Sequence, residues 1–145
     1  DVLAANPELD GVYAPYDALL PNVQSALTQV GQWVTRDDPE HIFTASIDAT
    51  RIALDQIRAG YYDVSISQPV THFGIAARIV REYIDTGKKP QVGDTIVEEG
   101  AYWSPAEAVQ GKNGVVFLMK CIAATKDNVD SKDLWANALA SWSIE

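Results

Sequence analysis

Apolar and polar positions along the chain repeat in two periods, one typical of β-strands and one typical of α-helices. Short apolar runs alternate with longer stretches in which an apolar residue returns every three or four positions. These patterns predict strands over 10–15, 41–47 and 63–67, and helices over 19–30, 48–60 and 70–87. Because few residues separate the elements, the alternation predicts an α/β fold of parallel βαβ units, with helices on both faces of the sheet.

The third predicted strand, DVSIS, ends abruptly. Its pattern predicts that Val64 and Ile66 face the core, and a long polar amide, Gln68, follows directly. Pro69 comes next, and proline biases the residue before it toward an extended conformation. The sequence therefore predicts a stiff strand end that presents the Gln68 side chain.

The last third of the chain is less regular. The segment 88–114 is rich in turn residues, and its aromatic pair Tyr102-Trp103 is predicted to pack rather than to stack on a ligand. The apolar run 115–125 predicts one buried strand, with Cys121 as a small core residue. A short helix follows, with one apolar face formed by Leu134, Trp135, Leu139 and Trp142.

Composition and charge narrow the function classes. The chain has 145 residues, 47% of them hydrophobic, which suffices for a core. Its net charge of −9 disfavours nucleic acid and anionic membranes as partners, and otherwise serves solubility. A single cysteine can form neither an internal disulfide nor a cysteine-based metal site. No apolar run reaches the length of a membrane span.

Common catalytic signatures are missing from the sequence. It contains no phosphate loop, dinucleotide fingerprint, nucleophile elbow or zinc-protease motif, so neither a metal nor a cofactor is predicted. His41 is predicted to be a solvated residue at a strand edge. His72 lies in the first turn of a predicted helix, closer to where a site would form.

Polar or aromatic side chains lie at the ends of the three predicted strands. In open α/β sheets, ligands bind beyond the carboxyl ends of the strands. The groups there are Tyr16, Asp17, Ser46, Asp48, Ser67 and Gln68. Carboxylates accept hydrogen bonds from paired hydroxyls, amides donate and accept, and tyrosine offers a ring face with a hydroxyl. This mixture, without clustered cations, predicts a site for a neutral, polyhydroxylated ligand.

Two other interpretations of these residues remain open. Asp17 and Asp48 each precede a predicted helix, so either could serve only as a helix cap. Asp48 and His72 could also belong to a small α/β hydrolase with Ser46 or Ser67 as its nucleophile. That alternative needs the side chains to lie within hydrogen-bond reach of one another.

The order of motifs resembles a known family. Three segments, in this order, resemble the C-terminal half of periplasmic sugar-binding proteins of the ribose-binding type. They are LAANPELDGVYAPYDALLPNVQSALTQVG, FTASIDATRIALDQIRAGYYDVSISQPVTHFGIAARIVREYIDTGKKP and ATKDNVD. These are type I solute-binding proteins of ABC transporters. The resemblance implies a periplasmic-binding-protein-like lobe, incomplete relative to the two-lobe family. It also implies reversible binding of a sugar or polyol as two lobes close about a hinge, and no enzymatic activity.

The resemblance also implies residue roles. The family's ligand-binding aspartate falls on Asp48 and its glutamine on Gln68, while Tyr16 stands where an asparagine is usual and suggests stacking instead. Together with Asp17 these are the predicted ligand-binding residues, and Gln68-Pro69 is the predicted hinge. Ala49 replaces a family glycine, so the backbone there is expected to differ.

The resemblance divides the chain into 1–68, a portion of the C-terminal lobe, and 69–145, the crossover and tail that return to the N-terminal lobe. Its implied partners are a sugar or polyol, the membrane subunits of an ABC importer, and a missing N-terminal lobe or a second copy. The implied location is periplasmic or extracellular, with lipoprotein anchoring as an option and no signal peptide among these residues. The effector domain of a LacI-type regulator is the alternative within the same fold.

Overall fold

The computed structural model describes residues 2–6 and 8–140, which form two compact units. The first unit combines the chain up to Gln68 with the chain from Ile122 onward, and the second unit is Pro69–Cys121. The chain passes from the first unit to the second after Gln68 and returns at Ile122, where a strand pairs with the sheet of the first unit. The assignment of 1–68 and 69–145 to parts of two lobes stays a prediction.

The strands and helices follow the predicted alternation. The strands are β1 Gly11–Tyr13, β2 Phe43–Asp48, β3 Val64–Ser67, β4 Thr95–Ile96, β5 Ala106–Gly111, β6 Gly114–Leu118 and β7 Ile122–Ala124. The helices are α1 Val2–Ala5, α2 Leu20–Gln29, α3 Arg51–Ala59, α4 Gly74–Thr86 and α5 Trp135–Ala140. The six elements predicted between residues 10 and 87 are confirmed. None of the described helices is long and apolar enough to cross a membrane.

The sheet of the first unit, sheet A, has the strand order β1-β2-β3-β7. β1, β2 and β3 are parallel, and β7 runs antiparallel to β3. The predicted α/β class with a mostly parallel sheet is therefore confirmed. Parallel alignment brings the carboxyl ends of β1, β2 and β3 to one edge, which we call the carboxyl edge of sheet A.

One face of sheet A carries polar side chains into the interior. The register pairs Ser46 with Ser65 and Asp48 with Ser67, so these four side chains share a face. All three serines are buried. The apolar core of the first unit is formed by Leu20, Ala49, Ala53, Leu54, Ile57, Tyr62, Ala124, Val129 and Leu134. Because the serines are buried beside this core, they need hydrogen-bond partners within the protein.

The opposite face of sheet A is less covered. The prediction that Val64 and Ile66 face the core is wrong: both lie on this second face and are only half-buried. Phe43, which shares the face, is 53% exposed. The predicted strand is confirmed, but its alternation places the serines inward.

The second unit contains sheet B, an antiparallel sheet of order β4-β5-β6, together with α4. Its core is built around Trp103, which is fully buried against Ile75 of α4 and Ala106 of β5. The prediction that the Tyr102-Trp103 pair packs is confirmed. Phe73, Val80 and Ile84 lie on the other side of α4 and remain more than half exposed.

The apolar run 115–125 is the clearest failure of the element prediction. It divides into β6 and β7, which belong to different sheets in different units. Cys121 lies between them and is exposed, so the prediction of a buried core residue is wrong. Trp142, predicted on the tail helix, lies outside the described residues.

Candidate functional site

The residues predicted to bind a ligand lie at or just beyond the carboxyl edge of sheet A. Asp48 is the last residue of β2, and Gln68 directly follows β3. Tyr16 and Asp17 begin the 3-10 turn Asp17–Leu19 that comes after β1. Asp17 lies close enough to Asp48 for its charge to help raise the pKa of the Asp48 carboxylate, so the first two strand ends lie near each other.

Asp17 is the centre of a buried hydrogen-bond cluster. The residue is 1% exposed, and its Oδ1 atom accepts bonds from the hydroxyls of Ser46 and Ser65, the latter at 2.8 Å. Its Oδ2 atom accepts the backbone N–H of Thr50 at 2.6 Å. The neighbouring Tyr62 is also buried, and burial raises the pKa of its phenol. Asp17 thereby joins the turn after β1 to β2, β3 and the start of α3.

Neither Asp17 nor Asp48 is a helix cap, the alternative role that the sequence allowed for both. The residues at the cap positions are Tyr16 and Leu19 for the 3-10 turn and α2, and Thr50 for α3. None of these caps includes a side-chain hydrogen bond. Asp17 instead contacts the start of α3 from the turn that follows β1.

Asp48 and the next residue have an unusual backbone. The φ angle is +112° at Asp48 and +50° at Ala49, a region that residues other than glycine rarely adopt. The sequence suggested that Ala49, in place of a family glycine, would change the local backbone. The chain nevertheless keeps a glycine-like conformation here. Non-glycine residues in such conformations are enriched at functional sites.

The Asp48 carboxylate is half-buried, and its pKa is raised. The main cause is desolvation, and the nearby charge of Asp17 adds to it, while the Asp17 backbone N–H acts in the opposite direction. Hydrogen bonds donated by a ligand would stabilise the charged form of such a partly desolvated carboxylate.

The other strand ends add different chemistry. The Tyr16 side chain is 46% exposed, which leaves ring surface for a ligand. Gln68 is half-buried beside Ser67, the strand partner of Asp48. The Ser67 hydroxyl is fully buried and has no hydrogen-bond partner among the described residues. The carboxyl edge thus offers a carboxylate, an amide and an aromatic ring from three consecutive strand ends.

The hydrolase alternative requires a base at one of the serines, and the described contacts do not provide one. Ser46 donates to Asp17, and Ser67 lacks a partner within the described chain. The prediction that His41 is solvated is wrong, because it bonds Asp63 at 2.9 Å and the carbonyl of Val34 at 3.0 Å.

His72 lies in the second unit, where its ring packs edge-on against Trp103 with centroids 5.3 Å apart. Its Nδ1 atom lies 3.1 Å from the hydroxyl of the neighbouring Thr71. Within the part of the chain that the structure describes, no group of three or more His, Cys, Asp or Glu side chains could hold a metal ion.

Sequence reasoning missed two residues of this region. Ser65 accepts the backbone N–H of Ala49 at 2.8 Å in addition to its bond to Asp17. A signal for it existed, since serines recur at alternate positions of β3. Trp135 donates its indole N–H to the carbonyl of Asp48 across 87 positions of sequence, and no local pattern could have revealed that bond.

Comparison with known proteins agrees with this geometry at the level of the fold. No family model and no curated protein matches the chain. Among solved structures, the crystal structure of a galactofuranose-binding protein is similar, with a TM-score of 0.64 and 17% identical residues. The similarity covers 97% of this chain and 39% of that chain. The chain therefore has the fold of part of a sugar-binding protein and spans less than half of its length.

Proposed function

We propose that this chain binds a sugar or polyol at the carboxyl edge of sheet A. The fold similarity to a galactofuranose-binding protein supports this ligand class. The observation that carries the proposal is Asp48, a half-buried carboxylate with a raised pKa at the end of a parallel strand. Paired sugar hydroxyls suit such an acceptor, because charge-assisted hydrogen bonds are stronger than neutral ones.

In this proposal the four predicted residues have different roles. Asp48 accepts hydroxyl protons, Gln68 donates and accepts, and the ring of Tyr16 covers an apolar face of the sugar. Asp17 acts indirectly, since its oxygens already accept three bonds within the protein. We assign it the task of holding the ends of β1, β2 and β3 in register, rather than the ligand contact expected from sequence.

We further propose that the protein is the substrate-capture component of an ABC importer and acts in the periplasm or outside the cell. The described structure offers no support for the hydrolase alternative, because neither candidate serine has a histidine partner there. The exposed apolar side chains of the first unit, such as Phe43, and of α4, such as Ile84, are expected to contact the other lobe of the whole protein.

A panel of monosaccharides and polyols, including furanose and pyranose forms, tests the proposed function. Isothermal titration calorimetry should find saturable binding of one sugar at micromolar or lower dissociation constant. A chain that hydrolyses simple esters or glycosides, with turnover abolished by His72→Ala, would contradict a binding role. Absence of any saturable binding across the panel would contradict sugar as the ligand class.

The raised pKa of Asp48 predicts an unusual pH dependence of sugar affinity. Protonation removes the negative charge that strengthens the hydrogen bonds accepted by the carboxyl group, so affinity should fall as the pH falls through the pKa of Asp48. Because that pKa is raised, the loss should begin at a higher pH than for an ordinary aspartate, and level off at the affinity of the neutral side chain. Calorimetry between neutral and acidic pH measures this profile.

Asp48→Asn is the control for the pH profile. The amide does not titrate, so the variant should bind more weakly but with an affinity that stays flat over the same range. If the variant retained the acid loss of the natural protein, another group would be responsible for it.

Motion about the predicted hinge can be followed with the natural cysteine. The chain passes between the two units after Gln68 and again after Cys121, whose thiol is exposed. An environment-sensitive dye on Cys121 should change its emission saturably with sugar, at the concentrations found by calorimetry. The labelled Asp48→Asn protein should need more sugar for the same change. A sugar-saturated protein with unchanged dye emission and anisotropy would argue against a hinge at this connection.

A further inference from the structure

The turn that presents Asp48 does not adopt a conformation that its own residues favour. Both Asp48 and Ala49 have positive φ, and neither is glycine. A side chain at such angles crowds the neighbouring backbone. The conformation therefore persists only where contacts from the surrounding structure hold it.

Three side chains from three separate elements supply those contacts. Ser65 of β3 accepts the N–H of Ala49 at 2.8 Å, and Asp17 accepts the N–H of Thr50 at 2.6 Å. The third contact holds the other side of the turn, where the indole N–H of Trp135 donates to the carbonyl of Asp48. The contact from Ser65 and the contact from Asp17 hold Ala49 and Thr50, which follow the turn. The indole holds Asp48, the residue that carries the candidate carboxylate.

Asp17, Ser65 and Trp135 differ in how much of the interior of the first unit depends on their contacts. Asp17 and Ser65 are both buried and bonded to each other, so their loss would disturb the interior of the first unit. Trp135 is only half-buried, at the first position of α5. Its indole N–H acts on the Asp48 backbone and can be removed while most of the ring is retained.

We propose that Trp135 is a positioning residue of the sugar site, which holds the backbone of Asp48 so that the carboxylate meets the ligand. This inference rests on the proposed function. It makes the segment that follows β7 part of the site, although that segment contributes no group to the ligand itself. Sugar affinity then depends on a contact between the tail helix and the end of β2.

The test uses Trp135→Phe in the full chain, which keeps an aromatic ring and removes the donor. The sugar found by calorimetry should bind about two- to tenfold more weakly, the range expected for one neutral hydrogen bond. Amide hydrogen exchange, followed by nuclear magnetic resonance, should accelerate at Ala49 and Thr50. In the natural protein, the indole proton of Trp135 should itself be protected from exchange.

Trp33→Phe is the matched control. Trp33 belongs to the same unit and packs against its apolar core, with its ring stacked on Tyr61 at a centroid distance of 5.7 Å. Its replacement should leave sugar affinity and the exchange of Ala49 and Thr50 unchanged. If Trp135→Phe lowered the stability of the whole first unit, exchange would accelerate at core amides throughout that unit. Loosening of this turn alone would accelerate exchange only at the turn.

The outcomes distinguish this inference from the proposed function. If Trp135→Phe binds sugar as the natural protein does, the inference is overturned, whether or not exchange at Ala49 changes. If the natural protein binds no sugar, the proposed function fails. Amide exchange at Ala49 and Thr50 then still decides whether Trp135 holds the Asp48 turn. Equal exchange in the natural protein and in Trp135→Phe would show that Trp135 does not hold it.

Discussion

Replacing Asp17 with alanine should lower the free energy of unfolding by about 3–5 kcal/mol, the largest effect on stability that we expect from a single site. The substitution removes the acceptor of two buried hydroxyls and one backbone N–H. The two serine hydroxyls would then be buried without an acceptor, which costs more than a lost hydrogen bond at the surface. Urea denaturation measures the change, and the midpoint of thermal unfolding should fall by roughly 10 °C.

Asp127→Ala is the control for that measurement. Asp127 belongs to the same unit, but its side chain is 77% exposed and pairs with the neighbouring Lys126. Its replacement should change the free energy of unfolding by less than about 0.5 kcal/mol. Equal stabilities for the two variants would mean that the Asp17 cluster does not hold the strand ends together.

Asp48→Asn should weaken sugar binding by at least about tenfold, or ~1.4 kcal/mol, while the protein stays folded. Asparagine has nearly the same shape and tolerates positive φ better than most residues, so the turn should survive. What disappears is the charge of the acceptor. Gln68→Ala should have a smaller effect, about two- to tenfold, because a neutral amide makes weaker hydrogen bonds than a carboxylate.

The relative loss of affinity in Asp48→Asn and Gln68→Ala shows which side chain is the main ligand contact. Calorimetry with one sugar measures both losses. Asp127→Asn changes the net charge by the same amount as Asp48→Asn and should leave affinity unchanged. If Gln68→Ala proved more damaging than Asp48→Asn, the amide and not the carboxylate would be the main ligand contact. If neither variant lost affinity, the sugar would bind elsewhere.

The alternation of elements could be predicted because its causes are local. Apolar residues at strand and helix spacing define β2, α3 and β3, and Gly60 ends α3 with a left-handed residue, as glycine does at many helix ends. The position of the candidate site followed from the same reasoning, since parallel strands bring their carboxyl ends to one edge.

The inward face of sheet A could not be predicted from hydrophobicity. Ser65 and Ser67 are buried while Val64 and Ile66 are only half-buried, the reverse of what hydrophobicity alone predicts. The reversal at Ser65 depends on Asp17, 48 positions earlier, whose carboxylate accepts the hydroxyl. A sequence pattern does not reveal a partner at that distance, and the same is true of Trp135 and Asp48.

The division of the run 115–125 had a different cause. Its apolar residues are continuous, so periodicity alone predicts one long strand. The chain instead leaves sheet B after β6 and joins sheet A as β7. The exposed position of Cys121 between them is a consequence of that passage from one unit to the other.

The most direct test of the central claim is a map of backbone amide shifts, recorded by nuclear magnetic resonance while the best sugar of the panel is added. Binding at the carboxyl edge of sheet A predicts the largest saturable shifts at Tyr16, Asp48, Ala49 and Gln68. Shifts confined to the second unit, for example around Glu82 and Asp94 in the cavity beside α4, would contradict the account.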